Sequence, residues 1–456
     1  MINLGTIQRI YFIGIGGIGM SALARYFLFH GKEVSGYDKT ATALTGALID
    51  EGIPVNFTDE LAIAPKNVEL VVYTPAVPSS HPQLRYYLAN NYTVMKRSEV
   101  LGAITENTYN ICVAGTHGKT TISTMVAHIL RHSGYGCNAF LGGIAANYNS
   151  NYWSNERNTC VIEADEYDRS FLKLSPNIAV ISAMDADHLD IYGTEKEMQD
   201  TFIQFSGRVK PGGELYYKKG IVRSDEFISP NKISYSVKDT TAQVYANNVR
   251  MVNGYYLFDV QLHEKLIDNC ALNMGGLHNV ENASVAIAVA NKLGIDTESI
   301  KLAVEEFKGV KRRFEYVVKK KSLVYIDDYA HHPEELKALI SSAKILFPDL
   351  VCTIIFQPHL FSRTKDLADG FAESLDLADE VILLPIYPAR ELPVEGVTSE
   401  LISEKMKNKK IRILNKSEVV EYIRMFHALE GLLITAGAGD IDTLIEPVKE
   451  ILNASL

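Results

Sequence analysis

Ile111-Cys112-Val113-Ala114-Gly115-Thr116-His117-Gly118-Lys119-Thr120-Thr121 decides how this chain folds. The apolar run that ends at Ala114 reads as a buried strand, and Met125 to Leu130 reads as helix. Between them lies a glycine-bracketed turn, then Lys119 and two threonines. Strand, turn and helix in that order form a phosphate cradle. Glycines let backbone N–H groups approach phosphate oxygens, and the helix N-terminus adds partial positive charge. A lysine there bridges the β- and γ-phosphates of a nucleotide, and the following threonine binds Mg²⁺. Only Thr116 and His117 stand between the glycines, so the loop is shorter than the common pattern. A glycine-rich turn with a chance lysine is the competing explanation, and the order of the elements weighs against it.

The chain has 456 residues, too many for one ordinary core, which predicts roughly two to four domains. Apolar content of 47% and charged content of 22% are those of a soluble globular protein. A net charge of −10 without a Lys/Arg block argues against nucleic acid or an anionic membrane as partner. Five scattered cysteines, none in a Cys-x-x-Cys pair, read as reduced thiols rather than disulfides or a zinc site. No apolar run is long enough to span a membrane, and no secretory leader pattern opens the chain. A cytoplasmic protein, monomeric or weakly homodimeric, is expected.

Toward the N-terminus, a strand (Ile10 to Ile13) runs into Gly14-x-Gly16-x-x-Gly19, and Met20 to Phe29 reads as helix. A second strand, Glu33 to Tyr37, ends at Asp38. An acid about 20 residues beyond the first glycine is where a dinucleotide-binding unit meets a ribose. A tight turn between strand and helix explains the glycines equally well. Leu70 to Tyr73 is a further strand, ending in the rigid loop Thr74 to Pro78. This domain ends near Asn107.

In the central domain, strands over Asn158 to Ile162 and Asn177 to Ile181 run into acidic clusters. These are Glu163-Ala164-Asp165-Glu166-Tyr167-Asp168 and Asp185-Ala186-Asp187-His188-Leu189-Asp190. Carboxylates at the ends of two apolar strands beside a phosphate loop suggest Mg²⁺ ligands rather than a solvated face. From Gly212 to Asp268 the pattern alternates, as in Lys232 to Val237, and predicts an antiparallel patch. His278-Asn279-x-x-Asn282 opens the next helix, where the asparagines either meet a ligand or cap the helix. Lys311-Arg312-Arg313 lies on the following connection, as a phosphate contact or a solvated basic turn.

A third domain begins near Ser322. Its four apolar strands end in Asp327 to His332, Gln357-Pro358-His359 with Arg363 beyond, Pro385 to Glu391, and Gly437 to Asp440. In a parallel α/β sheet, ligands bind at such carboxyl ends. Hydride transfer needs the first glycine loop but not the second, and a simple ATPase the reverse. An enzyme that uses ATP to activate a nucleotide-linked acid needs both.

Together these stretches resemble the Mur ligase family, in order and over nearly the whole chain. They are Gly14 to Ser21, Gly115 to Thr121, Glu163-Ala164-Asp165-Glu166, Asp187-His188, His278-Asn279-x-x-Asn282, Arg312-Arg313-Phe314-Glu315, Asp327 to Pro333, Gln357-Pro358-His359 with Arg363-Thr364, and Gly437 to Asp440. The resemblance implies an α/β protein of three domains. Residues 1–107 form a Rossmann-like domain for the UDP-substrate and 108–321 a P-loop ATPase-like domain. Residues 322–456 form a Rossmann-like domain that binds the amino acid and closes on ATP. It implies an ATP-dependent ligase that joins L-alanine to the lactyl carboxylate of UDP-N-acetylmuramate through an acyl phosphate. The products are ADP, phosphate and UDP-N-acetylmuramoyl-L-alanine, a peptidoglycan precursor.

The resemblance also implies roles. Lys119, His188 and Arg313 are catalytic. Gly115, Thr116, His117, Gly118, Lys119, Thr120, Thr121, His278, Asn279, Asn282, Arg313, Asp328 and His332 bind ATP. Thr120, Glu163 and His188 hold Mg²⁺, while Gly16, Gly17, Ile18, Gly19, Asp38 and Thr74 hold the UDP-substrate. His359 and Arg363 take the amino acid, and Leu360 stands where the family's motif commonly carries arginine. Neighbours compete for two of these roles, Arg312 with Arg313 and His331 with His332. A muropeptide-recycling ligase of the same family is the alternative. An NAD-dependent oxidoreductase leaves the Lys119 loop unexplained, and a non-catalytic nucleotide switch would release no phosphate.

Overall fold

The computed structural model describes residues 4–185, 189–252, 254–263, 265–389, 391–408, 410–426 and 430–454. The chain divides into two compact units. The first comprises Met1–Val249, Phe258–Ala271 and Val280–Phe307, and the second Arg250–Leu257, Leu272–Asn279 and Lys308–Leu456.

The first sheet contains β1 (Arg9–Ile13), β2 (Glu33–Tyr37), β3 (Val55–Asn56), β4 (Leu70–Tyr73) and β5 (Val94–Lys96), all parallel. Its order is β3-β2-β1-β4-β5. β1 is buried on both faces, as its unbroken apolar run requires. The order reverses on either side of β1, which opens a crevice at its carboxyl end. The glycine loop leads from that end into helix Ile18–Phe29.

The second sheet contains β6 (Tyr109–Ala114), β7 (Asn138–Ala145), β8 (Ser150–Trp153), β9 (Thr159–Glu163), β10 (Ile178–Ile181), β11 (Glu214–Lys218), β12 (Lys232–Ser236), β13 (Val244–Val252), β14 (Tyr255–Leu262) and β15 (Lys265–Leu272). Their order is β15-β14-β13-β12-β11-β10-β6-β9-β7-β8. β6 is flanked by β10 and β9, both parallel to it. The three loops after these strands therefore emerge side by side. The alternating residues 232–237 do not begin an antiparallel patch, because β12 pairs in parallel with both β11 and β13. Alternation reports that one face is buried, and it is blind to strand direction. The hairpin β7–β8 is antiparallel and packs on helix Ile18–Phe29. There Asn151 Nδ2 donates to Ile18 O at 2.6 Å, and Arg25 Nη1 donates to Asn151 Oδ1 at 2.8 Å.

The third sheet, in the second unit, has the order β16-β17-β21-β18-β19-β20. Its strands are β16 (Glu315–Lys319), β17 (Leu323–Asp328), β18 (Cys352–Phe356), β19 (Glu380–Leu383), β20 (Ile411–Ile413) and β21 (Gly431–Ala436). All are parallel except β16, which runs antiparallel to β17. The carboxyl ends of β17, β21 and β18 are thus neighbours. Among the described residues no helix is long and apolar enough to cross a membrane, and all five cysteines are buried and unpaired.

Gly102 ties this architecture to the loop after β9. It lies in helix Arg97–Glu106, where an added Cβ would stand 2.8 Å from the backbone oxygen of Lys173. Alanine is the better helix former by about 1 kcal/mol, but overpacking against backbone costs about 1–3 kcal/mol. Gly102→Ala is therefore expected to lower the thermal unfolding midpoint, and an equal or higher midpoint would show that the 167–173 segment yields.

Candidate functional site

Gly115 and Gly118 adopt left-handed backbone, with φ of 137° and 81°. At Gly115 a Cβ would also meet Ala183 N at 2.8 Å, so only glycine fits. The end of β10 braces the loop. Ser182 Oγ donates to the backbone oxygens of His117 and Ala114, Thr116 N donates to Ala183 O at 3.1 Å, and Asp185 N donates to Thr116 Oγ1 at 3.2 Å. Gly118 caps helix Lys119–His132 and, as glycine, brings no side chain of its own to that end. Asn282 Oδ1 lies 3.1 Å from where a Cβ on Gly118 would stand, which brings the asparagine beside the loop.

The loop's polar side chains turn toward the end of β9. Thr120 Oγ1 donates to Glu163 Oε1 at 2.8 Å, and Gly142 N donates to Glu163 Oε2 at 2.8 Å. Lys119 Nζ donates to Gly115 O at 2.7 Å and to Glu166 Oε1 at 2.6 Å. His117 and Asp185 stand 3.8 Å apart and largely exposed. The expected acidic metal cluster is divided. Asp165 pairs with Arg97 at 3.3 Å, Glu166 is taken by Lys119, and among the described residues no group of three His, Cys, Asp or Glu could hold a metal. Asp187 and His188 lie outside the described residues. Thr120 and Glu163 still offer a hydroxyl and a carboxylate beside a phosphate loop. That donor set fits Mg²⁺, which takes one or two carboxylates and completes its shell with phosphates and water.

The first glycine loop gathers the other predicted residues. Gly14 N and Ile15 N both donate to Tyr37 O, at 2.8 and 3.0 Å, and Gly14 has φ of 85°. Gly16 N donates to Asp38 Oδ2 at 2.7 Å, and Thr40 N to Asp38 Oδ1 at 3.1 Å. Asp38 therefore holds the loop itself in shape. Thr74 lies across it, its Cγ2 3.0 Å from where a Cβ on Gly14 would be. Ile18 opens the helix, Gly17 caps it, and Arg97 packs over Gly19 with Nη1 2.9 Å from a Cβ built there. Arg97 is a residue that reading the motifs missed, since a lone arginine after a short strand carries no signal of its partners.

In the second unit the two adjacent arginines separate. Arg312 Nε pairs with fully buried Asp327 at 3.2 Å, and Arg312 Nη2 donates to Gly437 O at 2.5 Å. Arg313 is exposed, its guanidinium 5.6 Å from the Tyr329 ring centroid. Asp328 accepts Phe314 N at 2.6 Å and Ala330 N at 2.8 Å, which fastens the turn carrying both arginines. Burial pushes the Asp328 carboxyl up to about 6. His331 is half-buried, with Nδ1 2.9 Å from Tyr329 O, whereas His332 is exposed at the start of helix Pro333–Leu346. His278 is exposed and Asn279 is buried, with Asn279 Nδ2 donating to Gly275 O at 2.6 Å. His359 stacks on Tyr387 at 5.8 Å and 17°. Leu360 between His359 and helix Phe361–Asp366 has φ of 68°, a strained value for leucine. Among the described residues, His359 Nδ1 and Arg363 Nη1 are buried atoms without a hydrogen-bond partner.

Comparison with known proteins places this geometry. Residues 9–109 match the description Mur ligase family, catalytic domain, residues 113–290 match Mur ligase middle domain, and residues 312–441 match Mur ligase, glutamate ligase domain. The chain belongs to the Mur ligase family. A UDP-N-acetylmuramate–L-alanine ligase of Flavobacterium johnsoniae is 47% identical over 458 residues, covering 100% of both chains. The solved UDP-N-acetylmuramate–alanine ligase of Thermotoga maritima is 28% identical with a TM-score of 0.82, covering 98% of this chain and 100% of its own. A murein peptide ligase of Psychrobacter arcticus shares the fold at 23% identity and a TM-score of 0.67, covering 98% of each chain. Like its family, the chain is an ATP-dependent ligase that forms amide bonds.

In this Mur ligase the Arg312–Asp327 pair also has a consequence for stability. Burial pushes the Asp327 carboxyl up to about 7, with Arg312 and Thr435 opposing the shift. The unfolded value is about 3.9, so the protonated acid is favoured in the folded state. Its contribution is complete below that value and is lost as pH rises through about 7. Asp327→Asn cannot titrate, and the drop in thermal midpoint between pH 5 and pH 8 is expected to be smaller in the variant. Equal drops would remove Asp327 as the source.

Proposed function

We propose that this chain joins L-alanine to UDP-N-acetylmuramate at the expense of ATP. The observation that carries this is its full-length identity of 47% with a ligase of that name, together with a Lys119 cradle built for nucleotide phosphates. The muropeptide alternative is weaker, since the alanine-ligase structure is nearer in both identity and TM-score than the murein peptide ligase.

A carboxylate is a poor electrophile, so the acid must gain a leaving group. The lactyl carboxylate oxygen attacks the γ-phosphorus of ATP and ADP departs. The alanine nitrogen then attacks the acyl carbon, the tetrahedral adduct expels phosphate, and the nitrogen loses its proton. Phosphoryl transfer depends mainly on positioning and neutralising charge. Lys119 and the backbone N–H groups from Gly115 to Thr121 hold the phosphates. Thr120, Glu163 and His188 would hold Mg²⁺, which would supply charge neutralisation to the phosphates. Asn279, Asn282 and His278 serve ATP on the adenine side. Gly16 to Gly19, Asp38 and Thr74 bind the UDP-substrate. In the second unit Arg313 offers the exposed guanidinium, Asp328 fastens its turn, and His332, at the start of helix Pro333–Leu346, serves ATP from there. The unpartnered atoms of His359 and Arg363 suit the carboxylate of the amino acid, and Leu360 leaves Arg363 as the guanidinium of that motif. The enzyme would work in the cytoplasm as a monomer or weak homodimer.

Phosphate release should require UDP-N-acetylmuramate and L-alanine together, and release with ATP alone would sink the assignment. Lys119→Ala should lower kcat by about 10²–10³-fold in a folded protein. Arg363→Ala should raise the apparent KM for alanine about tenfold and leave that for ATP nearly unchanged. An unchanged alanine KM would place the carboxylate elsewhere.

A further inference from the structure

The loop after β9 delivers two carboxylates to the cradle, three positions apart, and each meets a different partner. Glu163 accepts the Thr120 hydroxyl. The Glu166 side chain is 1% exposed and lies 2.6 Å from the Lys119 ammonium, itself 16% exposed. A carboxylate this buried is tolerated only with a close cation. Burial pushes the Glu166 acid up and Lys119 pulls it back.

We propose that Glu166 is a positioning residue that presets the Lys119 ammonium for the transferring phosphate and takes no part in binding metal. An ammonium has three donors. Glu166 and Gly115 O take two of them, at 2.6 and 2.7 Å, which leaves the third for a phosphate oxygen. A lysine side chain is long and flexible, so fixing it beforehand removes reorganisation from the reaction step. Glu166 is itself fixed by a frame anchored in the core. Arg169 N and Tyr192 Oη both donate to Glu166 O, at 2.9 and 2.5 Å, and Phe171 N donates to Asp165 O at 3.1 Å. Asp168 and Arg169 turn the chain back through left-handed φ of 56° and 57°, a strain that persists only where the surroundings enforce it. Phe171 anchors the turn, stacked on Phe205 at 4.8 Å and edge-on to Phe202 at 5.1 Å.

The inference rests on Lys119 being the phosphate ligand proposed above, and a double-mutant cycle separates the two. Wild type, Glu166→Gln, Lys119→Ala and the double variant are compared for kcat, KM of ATP and alanine, and the Mg²⁺ concentration giving half-maximal rate. Glu166→Gln keeps size and hydrogen-bonding capacity, and is expected to lower kcat about 10²-fold. The alanine KM and the Mg²⁺ midpoint should move less than about twofold, and adding Glu166→Gln to Lys119→Ala should cost less than about twofold more. Independent, multiplying losses would overturn the proposal. So would a Mg²⁺ midpoint shifted as far as in Glu163→Gln, since Glu166 would then be a ligand. Near-normal kcat in Lys119→Ala would instead remove the role given to Lys119. Thermal melts check folding. If Glu166→Gln is unfolded, Glu166→Asp carries the same cycle, where full kcat overturns the proposal and a loss absent from the Lys119→Ala background supports it.

Discussion

The carboxyl end of β6 sits between those of β9 and β10, and this order fixes where the charges around the cradle fall. β10 supplies Ser182 and Ala183, which hold the loop's backbone open through its carbonyl and amide groups. β9 supplies Glu163 and Glu166, which take the hydroxyl and the ammonium. A parallel sheet delivers all three loops on one edge, so a phosphate, a cation and a fixed lysine can share a small volume without long connections.

Buried charge recurs in both units and does related work in each. In the first, Glu166 and Lys119 neutralise one another beneath the phosphate loop. In the second, the Arg312 guanidinium lies against Asp327 at the end of β17, a carboxyl that burial keeps protonated until the pH nears 7, and Thr435 also donates to Asp327. Removing Lys119 would leave Glu166 as an uncompensated buried group, which is far costlier than the pair is favourable. Each pair therefore constrains position more than it adds stability. The neighbouring Arg313 stays exposed.

Much of this was legible along the chain. The strands ending at Ile13, Ala114 and Ile181 follow from unbroken apolar runs, and the turns at Gly14, Gly115 and Gly118 from glycines that take positive φ. The residues of the first glycine loop do converge, Asp38 on Gly16 and Thr74 on Gly14. The direction of β12 was not legible, because alternating burial is the same in either direction. Nor was the division of the acidic run after β9, where Asp165 turns to Arg97 and Glu166 to Lys119.

The sequence by itself determined the two glycine cradles, the strands before them and the helices after them, because each is set by neighbours a few residues away. Tertiary structure alone decided which carboxylate meets Lys119, that Arg312 is consumed by Asp327, and that Arg97 lies over Gly19. Those pairings join residues far apart in the chain. They depend on sheet order and on which side chains burial forces together, and neither is written in any local pattern.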